Sequence, residues 1–112
     1  MIEKAILKIN PNASFEIRNN QITWHNGTTP ISKADIEAQF PIIEFEMAME
    51  DLRAKRNKLL ADCDWTQFAD SPLTAEQKYP YAEYRQQLRD LTNGLTTVED
   101  VNSVTWPTKP GA

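Results

Sequence analysis

One cysteine, one histidine and three glycines in 112 residues leave little material for several kinds of chemistry. Cys63 has no second thiol to pair with, which excludes an internal disulfide and any zinc site framed by cysteines. The single thiol suits a reducing compartment, or a fold that needs no staples. Three glycines cannot build a glycine-rich phosphate loop. His25 stands beside Asn26-Gly27 without the elbow glycines, nearby cysteine or second histidine that nucleophilic or metal chemistry requires, so it is read as a surface strand histidine. Asp62, Asp64 and Asp70 lack the glycine and closing glutamate of a calcium loop and are read as helix-terminating or loop carboxylates. No catalytic residue, cofactor or metal is expected.

A long apolar run is missing as well. A membrane helix needs roughly 20 such residues, and Glu44, Glu46 and Glu50 interrupt the best candidate. The start, Met1-Ile2-Glu3-Lys4, shows no basic region followed by an apolar stretch, so no secretory signal is expected. Positive charge is scarce: 12 bases face 16 acids for a net charge of -4. Residues 1–30 carry +1, residues 31–60 carry -1 and residues 61–112 carry -4. A nucleic-acid binder concentrates lysine and arginine on one face, because phosphate neutralisation supplies most of its affinity. Only Arg53-Ala54-Lys55-Arg56-Asn57-Lys58 has that character, and the Asp51 to Lys55 spacing makes it a solvated helix face. Nucleic acid and membrane are therefore not expected partners.

What is present divides into three segments, residues 1–30, 31–61 and 62–112. The first reads as a small antiparallel meander of about three strands. Ala5, Leu7 and Ile9 alternate before an Asn10-Pro11-Asn12 turn, Phe15 and Ile17 form a second alternation, and Ile22 and Trp24 a third. A two-residue Asn19-Asn20 loop, where asparagine tolerates positive φ, pairs Ile17 with Ile22 and Phe15 with Trp24 on one apolar face. Glu16 and Thr23 then fall on the other face.

The second segment is a long kinked helix from roughly Lys33 to Ala61. Ser32 is its N-cap, Asp35 its capping-box acid, and Ile31 with Ile36 its hydrophobic staple. Ile36, Phe40, Ile43 and Met47 make one stripe, while Phe45, Met49, Leu52 and Leu59 make another. Pro41 kinks the helix. Two stripes imply two neighbours: the sheet for one, and for the other a second copy of the chain or a partner protein.

The third segment opens with a polar loop carrying Trp65 and Phe68. A capping box at Thr74 and Gln77 starts a helix from roughly Ala75 to Leu91, with Tyr81, Tyr84, Leu88 and Leu91 on one face and Asn93-Gly94 as its left-handed cap. The last residues, 95–112, are expected to be extended or disordered. Packing of the two helices would bury Trp65 between Leu60 and Tyr84. The whole is an α+β chain. Aromatics on loops and short helices serve as satellite core or as interface anchors, and the candidate partner-binding residues are Trp65, Phe68, Tyr81, Tyr84, Arg85, Arg89 and Trp106. Arg85 and Arg89 lie four apart on one helical face, where they could grip carboxylates of a partner or of Asp64 and Asp70.

Five blocks in the C-terminal half carry a resemblance. They are Arg56 with Leu59-Leu60, then Cys63-Asp64-Trp65-Thr66-Gln67, then Asp70-Ser71-Pro72-Leu73, then Tyr84-Arg85-Gln86-Gln87-Leu88-Arg89-Asp90, and finally Val104-Thr105-Trp106-Pro107-Thr108-Lys109-Pro110. In this order and spacing the chain resembles the phage tail assembly chaperone family, small proteins encoded near tail or tail-fibre genes of bacterial viruses. Tyr81 stands where a tryptophan is common in that family, and Asn93-Gly94-Leu95-Thr96-Thr97 replaces a shorter proline-containing link. The resemblance implies a non-enzymatic protein that binds a tail or tail-fibre protein and assists its folding, oligomerisation or attachment, in the host cytoplasm during assembly. A permanent place in the virion, as a baseplate or fibre adaptor, is the alternative it leaves open.

Overall fold

The computed structural model describes residues Met1–Gly111. Its elements are α1 (Ile2–Ile9), β1 (Ser14–Arg18), β2 (Gln21–His25), α2 (Lys33–Ala38), α3 (Phe40–Asp62), a 3₁₀ turn (Asp64–Gln67), α4 (Ala75–Asp90) and α5 (Val98–Asn102). The class is α+β. The chain divides into two compact units, Met1–Glu46 and Met47–Ala112, and α3 runs through both.

In the first unit the hairpin has the expected register. Phe15 faces Trp24, Glu16 faces Thr23 and Ile17 faces Ile22. Asn19 and Asn20 take φ of 51° and 64°, the left-handed pair that suits the twist of a two-residue hairpin loop. The Phe15 and Trp24 rings sit 6.0 Å apart. His25 lies opposite Ser14, with Nε2 3.8 Å from Glu16 on an exposed strand.

The first expected strand is instead a helix, so the sheet has two strands. The residues from Ile2 to Ile9 fit both periods, since Ile2, Ala5, Ile6 and Ile9 recur at helical spacing as well as Ala5, Leu7 and Ile9 at strand spacing. The helix wins because it puts the neighbours Ala5 and Ile6 on one buried face, which strand alternation cannot do. Ala5, Ile6, Ile36 and Ile43 form the core, packed round by Phe15, Ile17, Ile22, Trp24, Ile31 and Phe40 among others. Lys8 closes the edge with a 2.6 Å ion pair to Glu46.

The kink falls where the proline requires it. Ser32 Oγ accepts from the Asp35 amide at 3.1 Å to start α2, and Gln39 separates α2 from α3. Pro41 sits in the first turn of α3, where a missing N–H costs nothing. Of the second stripe, Met49 and Leu52 are buried, whereas Met47 at the end of the first is exposed. Lys55 does not pair with Asp51: its Nζ lies 4.3 Å from the centroid of the Trp106 ring.

In the second unit Thr74 and Gln77 cap α4 reciprocally, with Thr74 Oγ1 accepting from the Gln77 amide at 3.2 Å and Gln77 Oε1 accepting from the Thr74 amide at 2.9 Å. Thr74→Ala is expected to lower the stability of this unit by about 1 kcal/mol, read by chemical denaturation. The helix ends at Asp90, and Gly94 takes φ of 76° a turn later, so the left-handed residue closes the link and not the helix itself.

The tail is not wholly extended. Residues Val98–Asn102 form α5, started by a second capping box in which Thr97 Oγ1 accepts from the Asp100 amide at 3.1 Å. Asp100 Oδ2 in turn accepts from the Thr96 and Thr97 amides at 3.0 and 3.2 Å and from the Thr96 hydroxyl at 3.0 Å. Those bonds, the Thr96 amide first, hold the Asp100 carboxyl below the ordinary aspartate pKa. A folded-state pKa below the unfolded one means that the contribution of Asp100 is present above the ordinary value and is lost as pH falls through the lowered one. An NMR titration is expected to show Asp100 protonating at lower pH than an unstructured aspartate.

Candidate functional site

The Asp-Trp-Thr-Gln block forms the 3₁₀ turn that follows α3, and three of its four side chains are used internally. Thr66 is fully buried, and its hydroxyl donates to the Cys63 carbonyl at 2.6 Å. Gln67 Nε2 donates to Thr66 Oγ1 at 3.1 Å and reaches the Lys78 carbonyl on α4 at 3.4 Å. Asp64 pairs with Arg85, 2.8 Å from Nη2. Lys78 completes the frame, its Nζ donating to the Phe68 carbonyl at 3.2 Å.

Arg85 is the hub. Nη1 donates to the Leu60 carbonyl at 2.8 Å and to Cys63 Sγ at 3.2 Å, so one guanidinium caps the end of α3 and fixes the turn beyond it. Burial works against its charge, but the hydrogen bonds to Cys63 and Asp64 outweigh burial and raise its pKa further. Its Nε is buried without a partner. Of the two roles open to Arg85, gripping a partner or gripping Asp64, the structure places it in the second. Asp70 takes no part in that pairing, and Arg89 reaches only Gln86, at 3.5 Å.

The aromatics separate into two groups. Tyr84 is buried with Cys63 and Leu88 in the core of this unit, where Leu59, Leu60, Tyr81, Leu91 and Trp106 pack round them. Burial first, then Cys63 and Asp62, pushes the Tyr84 hydroxyl pKa up. Trp106 therefore ties the tail back to the core, between that cluster and Lys55. Trp65 is not buried between Leu60 and Tyr84 as expected; it stays 45% exposed. The reason is the turn itself: burying Thr66 and tying Asp64 and Gln67 inward directs the intervening side chain outward. Trp65 leans on half-buried Tyr81, ring centroids 6.2 Å apart, and Phe68 is 56% exposed.

Tyr79, outside the candidate set, is the most exposed aromatic of all at 65%. Its hydroxyl pKa is raised, chiefly by a hydrogen bond to Glu83. The signal was available, because Tyr79 is two residues from Tyr81 and so falls off the buried stripe of α4. The surface brought together is thus an aromatic turn carrying Trp65 and Phe68 with Tyr81 at its edge, held by a polar frame. A second feature is a groove of about 420 Å³ between α3 and α5, lined by Leu52, Val101, Val104 and Trp106 with Asp51 and Lys55 at its rim. Among the described residues no group of histidine, cysteine, aspartate and glutamate side chains could hold a metal ion, and no helix is long and apolar enough to cross a membrane.

The frame and the turn lie within a segment of known kinship. The family model described as phage tail assembly chaperone protein matches residues 49–111, more than half of the chain, and the chain belongs to that family. No curated protein and no solved structure matches it.

Proposed function

We propose that this chain works by binding, without catalysis, to a tail or tail-fibre protein of a bacterial virus, and that it assists the folding, oligomerisation or attachment of that protein in the host cytoplasm. The observation that carries this reading is the exposure of Trp65 and Phe68 on a turn whose other side chains are all committed to holding it. Two large aromatics left in water on a rigid support are the usual anatomy of an interface anchor, since little side-chain entropy remains to be lost on binding. A fibre protein exposes apolar surface and strand edges before its chains close, and an aromatic surface on a small partner can cover them.

The test is mass spectrometry on two samples from infected cells: complexes captured on a tagged copy of this chain, and purified particles. A single tail or fibre protein in the captured complex, with this chain absent from the particles, is expected. Its presence in particles at a fixed ratio to the fibre or baseplate would make it a permanent adaptor, and capture of no tail protein would remove the reading.

A further inference from the structure

We propose that the aromatic turn takes a cationic apolar segment of its protein partner, one in which lysine or arginine alternates with aliphatic residues; this rests on the binding role proposed above. The helical spacing of Arg85 and Arg89 points the other way, to a partner rich in carboxylates. The structure directs the cation nearest the turn away from that role, because Arg85 is committed to Leu60, Cys63 and Asp64. Exposed Arg89 keeps only a 3.5 Å contact with Gln86 and lies a further helical turn along α4.

What remains along residues 62–83, which carry the turn and the start of α4, is negative. Among the described residues Asp62, Asp70, Glu76 and Glu83 take part in no ion pair, while Asp64 is neutralised by Arg85. From Asp62 to Glu83 the one cation is Lys78, and its ammonium is held at the Phe68 carbonyl. The exposed face of Trp65 adds to this, since aromatic faces attract ammonium and guanidinium groups. The chain already contains that recognition once, where Lys55 sits over Trp106. Complementary charge selects the partner and its approach, and the aliphatic residues supply the contact with Trp65 and Phe68.

Two synthetic peptides of equal length test this, each with leucine at alternate positions and with lysine in one and glutamate in the other filling the rest. Titrated into the labelled full chain, the lysine peptide is expected to shift the amide signals of residues 62–83 and to bind at least about tenfold more tightly than the glutamate peptide. Added salt should weaken it, and either Trp65→Ala/Phe68→Ala or Asp70→Lys/Glu83→Lys should do so without changing the rest of the spectrum. Equal binding of both peptides, or shifts confined to other residues, would overturn the proposal. Should a variant prove unfolded, the comparison of the two peptides and the salt dependence of the unsubstituted chain decide alone. Capture of the tail protein separates the two readings. If it is lost with Trp65→Ala/Phe68→Ala but kept with Asp70→Lys/Glu83→Lys, docking on the turn stands and the cationic partner falls. If neither variant loses it, the docking surface falls as well.

Discussion

Trp65→Ala/Phe68→Ala is expected to weaken capture of the tail protein by at least about 100-fold while leaving the chain folded. The two effects separate because the residues are exposed. Central aromatic anchors cost about 2 kcal/mol or more each when truncated, so two of them account for the loss with some margin for non-additivity. Stability should fall by about 2 kcal/mol, since roughly half of each ring is covered in the folded chain, Trp65 partly by Tyr81. Isothermal titration or pull-down reads the first effect and urea denaturation the second. A variant that binds normally would remove the turn from the interface.

Arg85→Ala is expected to do the reverse, acting on the fold first and on binding only through it. Removing the guanidinium takes one donor from the Leu60 carbonyl, which keeps the Cys63 amide at 3.2 Å, and leaves Cys63 Sγ and Asp64 without their cationic partner. A broken buried ion pair costs about 3 to 5 kcal/mol when the survivor is trapped away from water. Asp64 is half exposed, so water relieves it, and the loss should be nearer 2 to 3 kcal/mol for the hydrogen bonds and the packing of the stem. In a unit of this size that corresponds to a drop in Tm of roughly 10 to 20 °C. Arg85→Lys keeps the charge but cannot fork between Leu60 and Asp64, and is expected to recover only part of the stability. Thermal unfolding followed by circular dichroism checks both. A Tm unchanged by Arg85→Ala would mean that the turn needs no hub.

The contrast between these variants shows how far residue type and spacing carry. The hairpin register, the caps at Ser32 and Thr74 and the break near Pro41 were legible because each depends on neighbours in the chain: an Asn-Asn loop, a hydroxyl three residues before its partner, a missing N–H. The strand expected over Ala5 to Ile9 failed because a run of eight residues satisfies two periods, and only packing chooses between them. The tail helix stands where an extended segment is expected, although Thr97 and Asp100 form the same kind of box as Thr74 and Gln77, with a shorter acid in the third position.

For the candidate surface the limit was different. Helical spacing put Arg85 beside Arg89 and Tyr81 beside Tyr84, but not which of each pair turns inward. That choice depends on the end of α3, where the Leu60 carbonyl, already bonded to the Cys63 amide, and the Cys63 thiol lie 25 and 22 residues upstream of the guanidinium that meets them. Two of the five sequence blocks that carry the family resemblance are joined by that meeting: the aspartate of the Asp-Trp-Thr-Gln block and the first arginine of the Tyr-Arg-Gln-Gln-Leu-Arg-Asp block form one ion pair. Their shared role is to hold the turn, and the tryptophan between them is the side chain it presents.

The most direct test of this account is co-expression. The tail-fibre gene of the virus is expressed in the host cell alone, with this chain, and with the Trp65→Ala/Phe68→Ala variant, and the soluble oligomeric fraction of the fibre protein is measured. Soluble oligomer only with the unsubstituted chain is the expected result. Fibre protein that becomes soluble and oligomeric to the same extent in all three cultures would contradict the account.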